Sequence, residues 1–148
     1  MDIFIEEVNR TNFEEWLMMG LDLWPHYTES RLREIFAEVL EAEKEKAYVC
    51  RTKNEYVGFI NVSIRFDYVA GSSSSPVGYV EGIYVKPRLR KRGIAKQLVR
   101  KGEEWASSKG CSQIASDAEF ENEHSYNFHR KIGFEEVQRV ICLIKDIS

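Results

Sequence analysis

The residues Arg90-Lys91-Arg92-Gly93-Ile94-Ala95 join a stretch that reads as a strand, Val77 to Val85, to one that reads as a helix, Ile94 to Lys109. Such a junction turns several backbone N–H groups toward one point. The helix start adds unpaired donors and the positive end of its dipole. Gly93 has no Cβ, so an oxyanion can approach the backbone closely. From Lys86 to Lys101, ends included, eight residues are Lys or Arg and none is Asp or Glu. This loop is suited to holding a phosphate or pyrophosphate. A solvated basic helix start is the competing reading. The loop lacks the Gly-x-Gly-x-x-Gly of a dinucleotide fingerprint, and no Gly-Lys-Ser/Thr follows as in a P-loop.

A carboxylate stands in the preceding strand. Glu81 lies in Tyr79-Val80-Glu81-Gly82-Ile83, where its neighbours are mostly apolar. A buried, unpaired carboxylate is costly, so Glu81 must face water, a cation or a reacting group. Downstream, Asp117, Glu119, Glu121, Glu123, Glu135 and Glu136 are opposed only by Arg130 and Lys131. A basic block followed by an acidic one suits an anionic ligand and a polycationic one. A merely solvated acidic face is the alternative.

The elements that must position these groups follow from pattern. Asp2 to Val8 reads as a strand. Thr11 and Glu14 have the spacing of a capping box, and Phe13, Trp16, Leu17 and Leu21 then follow a helical period. A second helix presents Leu32, Ile35, Phe36, Val39 and Leu40. Strands are expected at Ala47 to Thr52, Tyr56 to Asp67, Val77 to Val85 and Gln113 to Ser116. A helix ending at Gly110, a short helix from Ser125 to Ile132 before Gly133, and a last strand from Phe134 to Lys145 complete the chain. The order β-α-α-β-β-β-α-β-α-β is a mixed α/β (α+β) arrangement.

Length and composition set the outer bounds. The 148 residues fit one domain, 1–148, with one real core. The start is acidic and has no signal-peptide pattern, and no apolar run is long enough to span a membrane. The three cysteines, Cys50, Cys111 and Cys142, are widely spaced, which fits free thiols in a reducing cytoplasm and disfavours zinc; no metal site is expected. A nucleic-acid-binding module would use the basic run, but the net charge of −3 and the confinement of basic residues to one loop and helix argue against it.

Arg90-x-x-Gly93-x-Ala95, after Gly82-Ile83-Tyr84-Val85-Lys86-Pro87, resembles the acetyl-CoA loop of the GCN5-related N-acetyltransferases, whose signature is Gln/Arg-x-x-Gly-x-Gly/Ala. The element order agrees over nearly the whole chain. The resemblance implies a mostly antiparallel sheet with splayed central strands, flanked by helices. It implies that backbone groups of Ile83, Tyr84 and Val85 meet the pantetheine arm, and that Lys91, Arg92, Gly93, Ile94, Ala95 and Lys96 hold the pyrophosphate. Asn122-Glu123-His124-Ser125 matches a second motif and makes Asn122 a pantetheine partner. His129 stands where that motif usually has the tyrosine that protonates the leaving thiolate, and serves either as that acid or in packing. In this fold Asp117 ends the strand beside Glu81, so the two form a pocket for a cationic amine, and either can accept its proton.

A more specific set is similar to the aminoglycoside 6′-N-acetyltransferases: Leu23-Trp24-Pro25-His26, Asp67-Tyr68-Val69, Ser74-Ser75-Pro76-Val77, Glu81-Gly82-Ile83-Tyr84-Val85, Ala95-Lys96-Gln97-Leu98, Ala115-Ser116-Asp117 and Gly133-Phe134-Glu135-Glu136. This implies acetylation of an aminoglycoside 6′-amine, with drug resistance as the outcome. Trp24, Tyr68, Glu81 and Asp117 then contact the sugars and amines. Gln138 reaches the substrate of a neighbouring subunit, because these enzymes are commonly homodimers. The residues without the resemblance reach only acetyl-CoA-dependent transfer to a cationic amine, which keeps a polyamine, peptide amine or metabolite as the alternative acceptor.

Overall fold

A computed structural model describes all residues, 1–148. Five strands form one sheet in the order of the chain: β1 (Phe4–Glu7), β2 (Glu45–Arg51), β3 (Tyr56–Arg65), β4 (Val77–Val85) and β5 (Ile114–Ala115). The first four pair antiparallel, and β5 joins β4 in parallel. The helices are α1 (Phe13–Leu23), α2 (Glu29–Glu41), α3 (Ile94–Ser108) and α4 (Glu123–Lys131).

Alternation of side chains along β2 and β3 feeds two cores, one on each face of the sheet. On one face Trp16, Leu17, Leu32, Phe36, Val49, Phe59 and Tyr84 pack together, so α1 and α2 cover it. On the other, Cys50, Val57, Ile60, Val62 and Val85 meet Leu98, Val99 and Trp105 of α3. On the first face a buried polar contact ties helix to sheet, Trp16 Nε1 donating to Asn61 Oδ1 at 2.9 Å. Strand β4 lies between the two cores, with Tyr84 in one and Val80 and Val85 in the other.

Two expectations fail. Thr11 and Glu14 form no capping box. Helix α1 starts one residue later, behind Asn12, because Asn9 and Asn12 satisfy the loop instead. The Asn9 N–H donates to Asn12 Oδ1, and the Thr11 N–H donates to Asn9 Oδ1. Glu14 is claimed by a two-pronged ion pair with Arg33. The second failure is the last strand. Residues 134–148 form no strand. A strand needs a ladder partner, and β5 has only two residues to offer as an edge. The other spans agree to within about two residues, the usual fraying of element ends.

Candidate active site

The loop after β4 has the shape its sequence requires. A 3-10 turn, Pro87–Leu89, leads out of the strand, and Arg90 Nε donates back to the Val85 carbonyl at 2.8 Å. Lys91 has φ 65 and Gly93 has φ 82, both left-handed. Gly93 is the N-cap of α3, and a Cβ placed there meets nothing within 4 Å. The space above this backbone is open, so glycine is present for conformation and for access by a ligand rather than for packing. Helix α3 has no acidic residue in its first turn. Its N-terminal dipole and the exposed Lys91, Arg92 and Lys96 therefore add, which suits an anion.

The pairing of β4 explains how an extended ligand arm gains backbone partners. Only Gly78 and Tyr79 pair with β5, to Ile114 and Ala115. From Val80 to Val85 the strand has a neighbour on the β3 side alone. That free edge includes Ile83, Tyr84 and Val85, the residues assigned from sequence to the pantetheine arm.

Opposite the free edge, β3 and β4 slip register. Asn61 pairs with Gly82 and Val62 pairs with Val80, so Glu81 is the extra residue of a bulge. A bulge re-aims a side chain that regular alternation would send elsewhere. Here it brings Glu81 to the polar residues of β3. Ser63 Oγ donates to Glu81 Oε2, and Arg65 Nη2 donates to Glu81 Oε1 at 2.9 Å. Arg65 also lies 3.5 Å from the ring centroid of Tyr79, whose hydroxyl donates to Asp117 Oδ2 at 2.6 Å. Glu81 and Asp117 are thus joined by a chain of contacts. Burial, then the bond to Asp117, pushes the Tyr79 phenol far above its usual range, so it stays protonated and donating.

Trp24 sits at the end of α1 and lies against Gly82. A Cβ on Gly82 would come within 2.5 Å of the indole, so this glycine makes the close approach possible. Tyr84 Oη donates to Asp22 Oδ2 at 3.2 Å on the same side. Tyr68 stands in the loop after β3 and is 81% exposed. Gln138 is exposed on the extended tail beyond α4.

The second motif region is built around α4. Asn122 caps the helix by accepting the Ser125 N–H at 3.0 Å, which leaves its Nδ2 for another partner. His129 has both ring nitrogens engaged. Nδ1 lies 2.6 Å from the Ser125 carbonyl, an acceptor only, so Nδ1 carries the proton of the neutral ring. Nε2 then accepts from Ser116 Oγ at 2.7 Å. Edge contacts with Phe128 and Phe134 hold the ring further.

Sequence reasoning missed Ser63, Arg65 and Tyr79. The signal was present: Ser63 and Arg65 are two apart on one strand, hence on one face, at the end of an otherwise apolar run. The bulge that turns Glu81 toward them left no such mark. No group of His, Cys, Asp and Glu able to hold a metal occurs. No helix is long and apolar enough to cross a membrane.

Residues 6–134 match the pattern of the Acetyltransferase (GNAT) family. The chain is 39% identical over 137 residues to the aminoglycoside N(6′)-acetyltransferase type 1 of Salmonella typhimurium, covering 93% of this chain and 94% of that one. It is 34% identical over 144 residues to the enzyme of that name from Acinetobacter haemolyticus, covering 97% and 99%. Among solved structures it is similar, at a TM-score of 0.95 and 37% identity, to AAC(6′)-Iy in complex with the bisubstrate analogue CoA-S-monomethyl-acetylneamine, with 99% of this chain and 100% of that one covered.

Proposed function

Because the chain belongs to the acetyltransferase (GNAT) family, we propose that it moves the acetyl group of acetyl-CoA to the 6′-amine of an aminoglycoside and so protects a cell from the drug. The observation that carries this reading is a chain similar from end to end to a protein solved with CoA and acetylneamine joined in one ligand. An anion-binding loop and an acidic bulge lie on the same strand here, as that pair of ligands requires.

The chemistry asks for few groups. Lys91, Arg92, Gly93, Ile94, Ala95 and Lys96 hold the pyrophosphate. The free edge at Ile83, Tyr84 and Val85, with Nδ2 of Asn122, receives the pantetheine. A backbone N–H of that edge polarises the thioester carbonyl, which is where negative charge develops. Glu81 and Asp117 hold the acceptor's ammonium groups, and Trp24 and Tyr68 cover its sugar rings. The neutral amine attacks the carbonyl carbon, the C–N bond forms, the C–S bond breaks to release the CoA thiolate, and the amine's proton leaves to Glu81 or Asp117, directly or through a water. His129 holds the Ser116 end of the pocket rather than giving a proton.

The protein works in the cytoplasm, where acetyl-CoA and free thiols coexist, and it works as a homodimer in which Gln138 approaches the neighbouring acceptor site. Incubation with acetyl-CoA and neamine tests the activity. One acetyl group on the 6′-nitrogen, located by NMR, is the expected product. Acetylation at another amine, or transfer only to a polyamine or peptide amine, would instead support the broader reading of a transferase for cationic amines.

A further inference from the structure

We propose that Arg65 and Tyr79 form a clamp that fixes the two acceptor-site carboxylates relative to each other, so that Glu81 is held in position to anchor the acceptor's ammonium. This rests on the aminoglycoside reading above. The clamp runs through one continuous set of contacts. Arg65 reaches Glu81 from Nε and Nη2 at 2.9–3.2 Å, lies flat over the Tyr79 ring, and Tyr79 binds Asp117. Ser63 takes a further position on the same Glu81 oxygen.

Three arguments favour a clamp over an incidental surface pair. An ion pair with side chains 43% and 33% exposed adds little to folding stability, so stability does not explain it. A guanidinium is a planar fork that both stacks on a ring and binds a carboxylate in a fixed orientation, which a lysine cannot do. The geometry also fixes how many lone pairs remain. Oε2 of Glu81 is occupied by Ser63 and Arg65, whereas Oε1 accepts from Arg65 alone and keeps one direction open. One open direction is enough to accept a hydrogen bond from an ammonium. Glu45 lies near enough that the Glu81 charge, after its own burial, pushes its carboxyl up, so the negative field of this corner is shared.

The test is a set of steady-state rates with neamine and acetyl-CoA. Arg65→Met should raise the KM for neamine about 10-fold, as expected for one mispositioned charged contact, with kcat and the acetyl-CoA KM near wild type. Arg65→Lys should fall between, because it keeps the charge and loses the fork. In a Glu81→Gln background, Arg65→Met should add almost nothing, since the arginine acts through that carboxylate. Melting temperatures should stay near wild type, which separates the clamp from a folding defect. Additive effects of the two substitutions, or a neamine KM that is unchanged or lower in Arg65→Met, would overturn the clamp. Failure of the aminoglycoside reading shows separately, as a wild-type protein that neither binds nor acetylates neamine.

Discussion

At the scale of single residues, His129 is where this chain departs from its family's second motif. A tyrosine there would be an acid that stays protonated across the working range. The histidine instead gives its Nδ1 proton to the Ser125 carbonyl and engages Ser116 Oγ through Nε2. Both nitrogens are tied to Ser125 and Ser116 rather than left open toward a leaving thiolate, and a thiolate leaves without strong help. His129→Phe should therefore keep kcat within about 10-fold of wild type, below the usual range for loss of a general acid. A drop of several hundred-fold in kcat, with acetyl-CoA affinity intact, would make His129 the acid after all. The sequence could place His129 in its motif, but it could not say that Ser116, thirteen residues away, would take its second nitrogen.

At the scale of elements, one strand and its flanking turns carry both proposed half-sites. The loop was legible because glycine spacing and charge are written in consecutive residues. Gly93 should therefore be a sharp probe. At φ 82 any side chain is strained, and an aspartate there would bring a negative charge into open space meant for an anion. Gly93→Asp should raise the Kd for acetyl-CoA by about 10-fold or more, judged by the worth of a charge-assisted contact. Calorimetry on the folded variant checks this, and an unchanged Kd would remove the loop from the coenzyme site. The acceptor half was less legible. Glu81 stood out as a carboxylate in an apolar strand, but a register slip between Asn61 and Val62 decides where it points. No sequence pattern marks that slip, because it arises from pairing between residues far apart in the chain. The missing capping box has a similar cause. Thr11 had the right spacing, yet Asn9 and Asn12 made a tighter local set of bonds, and Arg33 from α2 took Glu14.

At the scale of the whole molecule, the segment read as a last strand stands away from the body. Phe134 still packs against the α3 side of the core, and Val137 touches Gly71. Farther along, Val140 is 68% exposed, Ile141 86%, Leu143 89%, Ile144 99% and Ile147 96%. Water is a poor place for five large apolar side chains within eight residues. The sheet meanwhile ends at β5, an edge paired only on its β4 side. An open edge and an unpaired strand-forming segment on the same chain complement each other, and a second copy lets each satisfy the other in a closed two-fold arrangement. Burying these side chains is worth roughly 10 kcal/mol per arm, set against the costs of association and of ordering the arm. Light scattering should therefore give twice the mass of the chain, and amides of 137–147 should be protected from exchange in the dimer. Ile141→Asp with Ile144→Asp should yield monomers whose arm amides exchange freely. A monomeric wild type with protected arm amides would mean that the segment folds back onto its own β5, and the exchange between copies would be wrong.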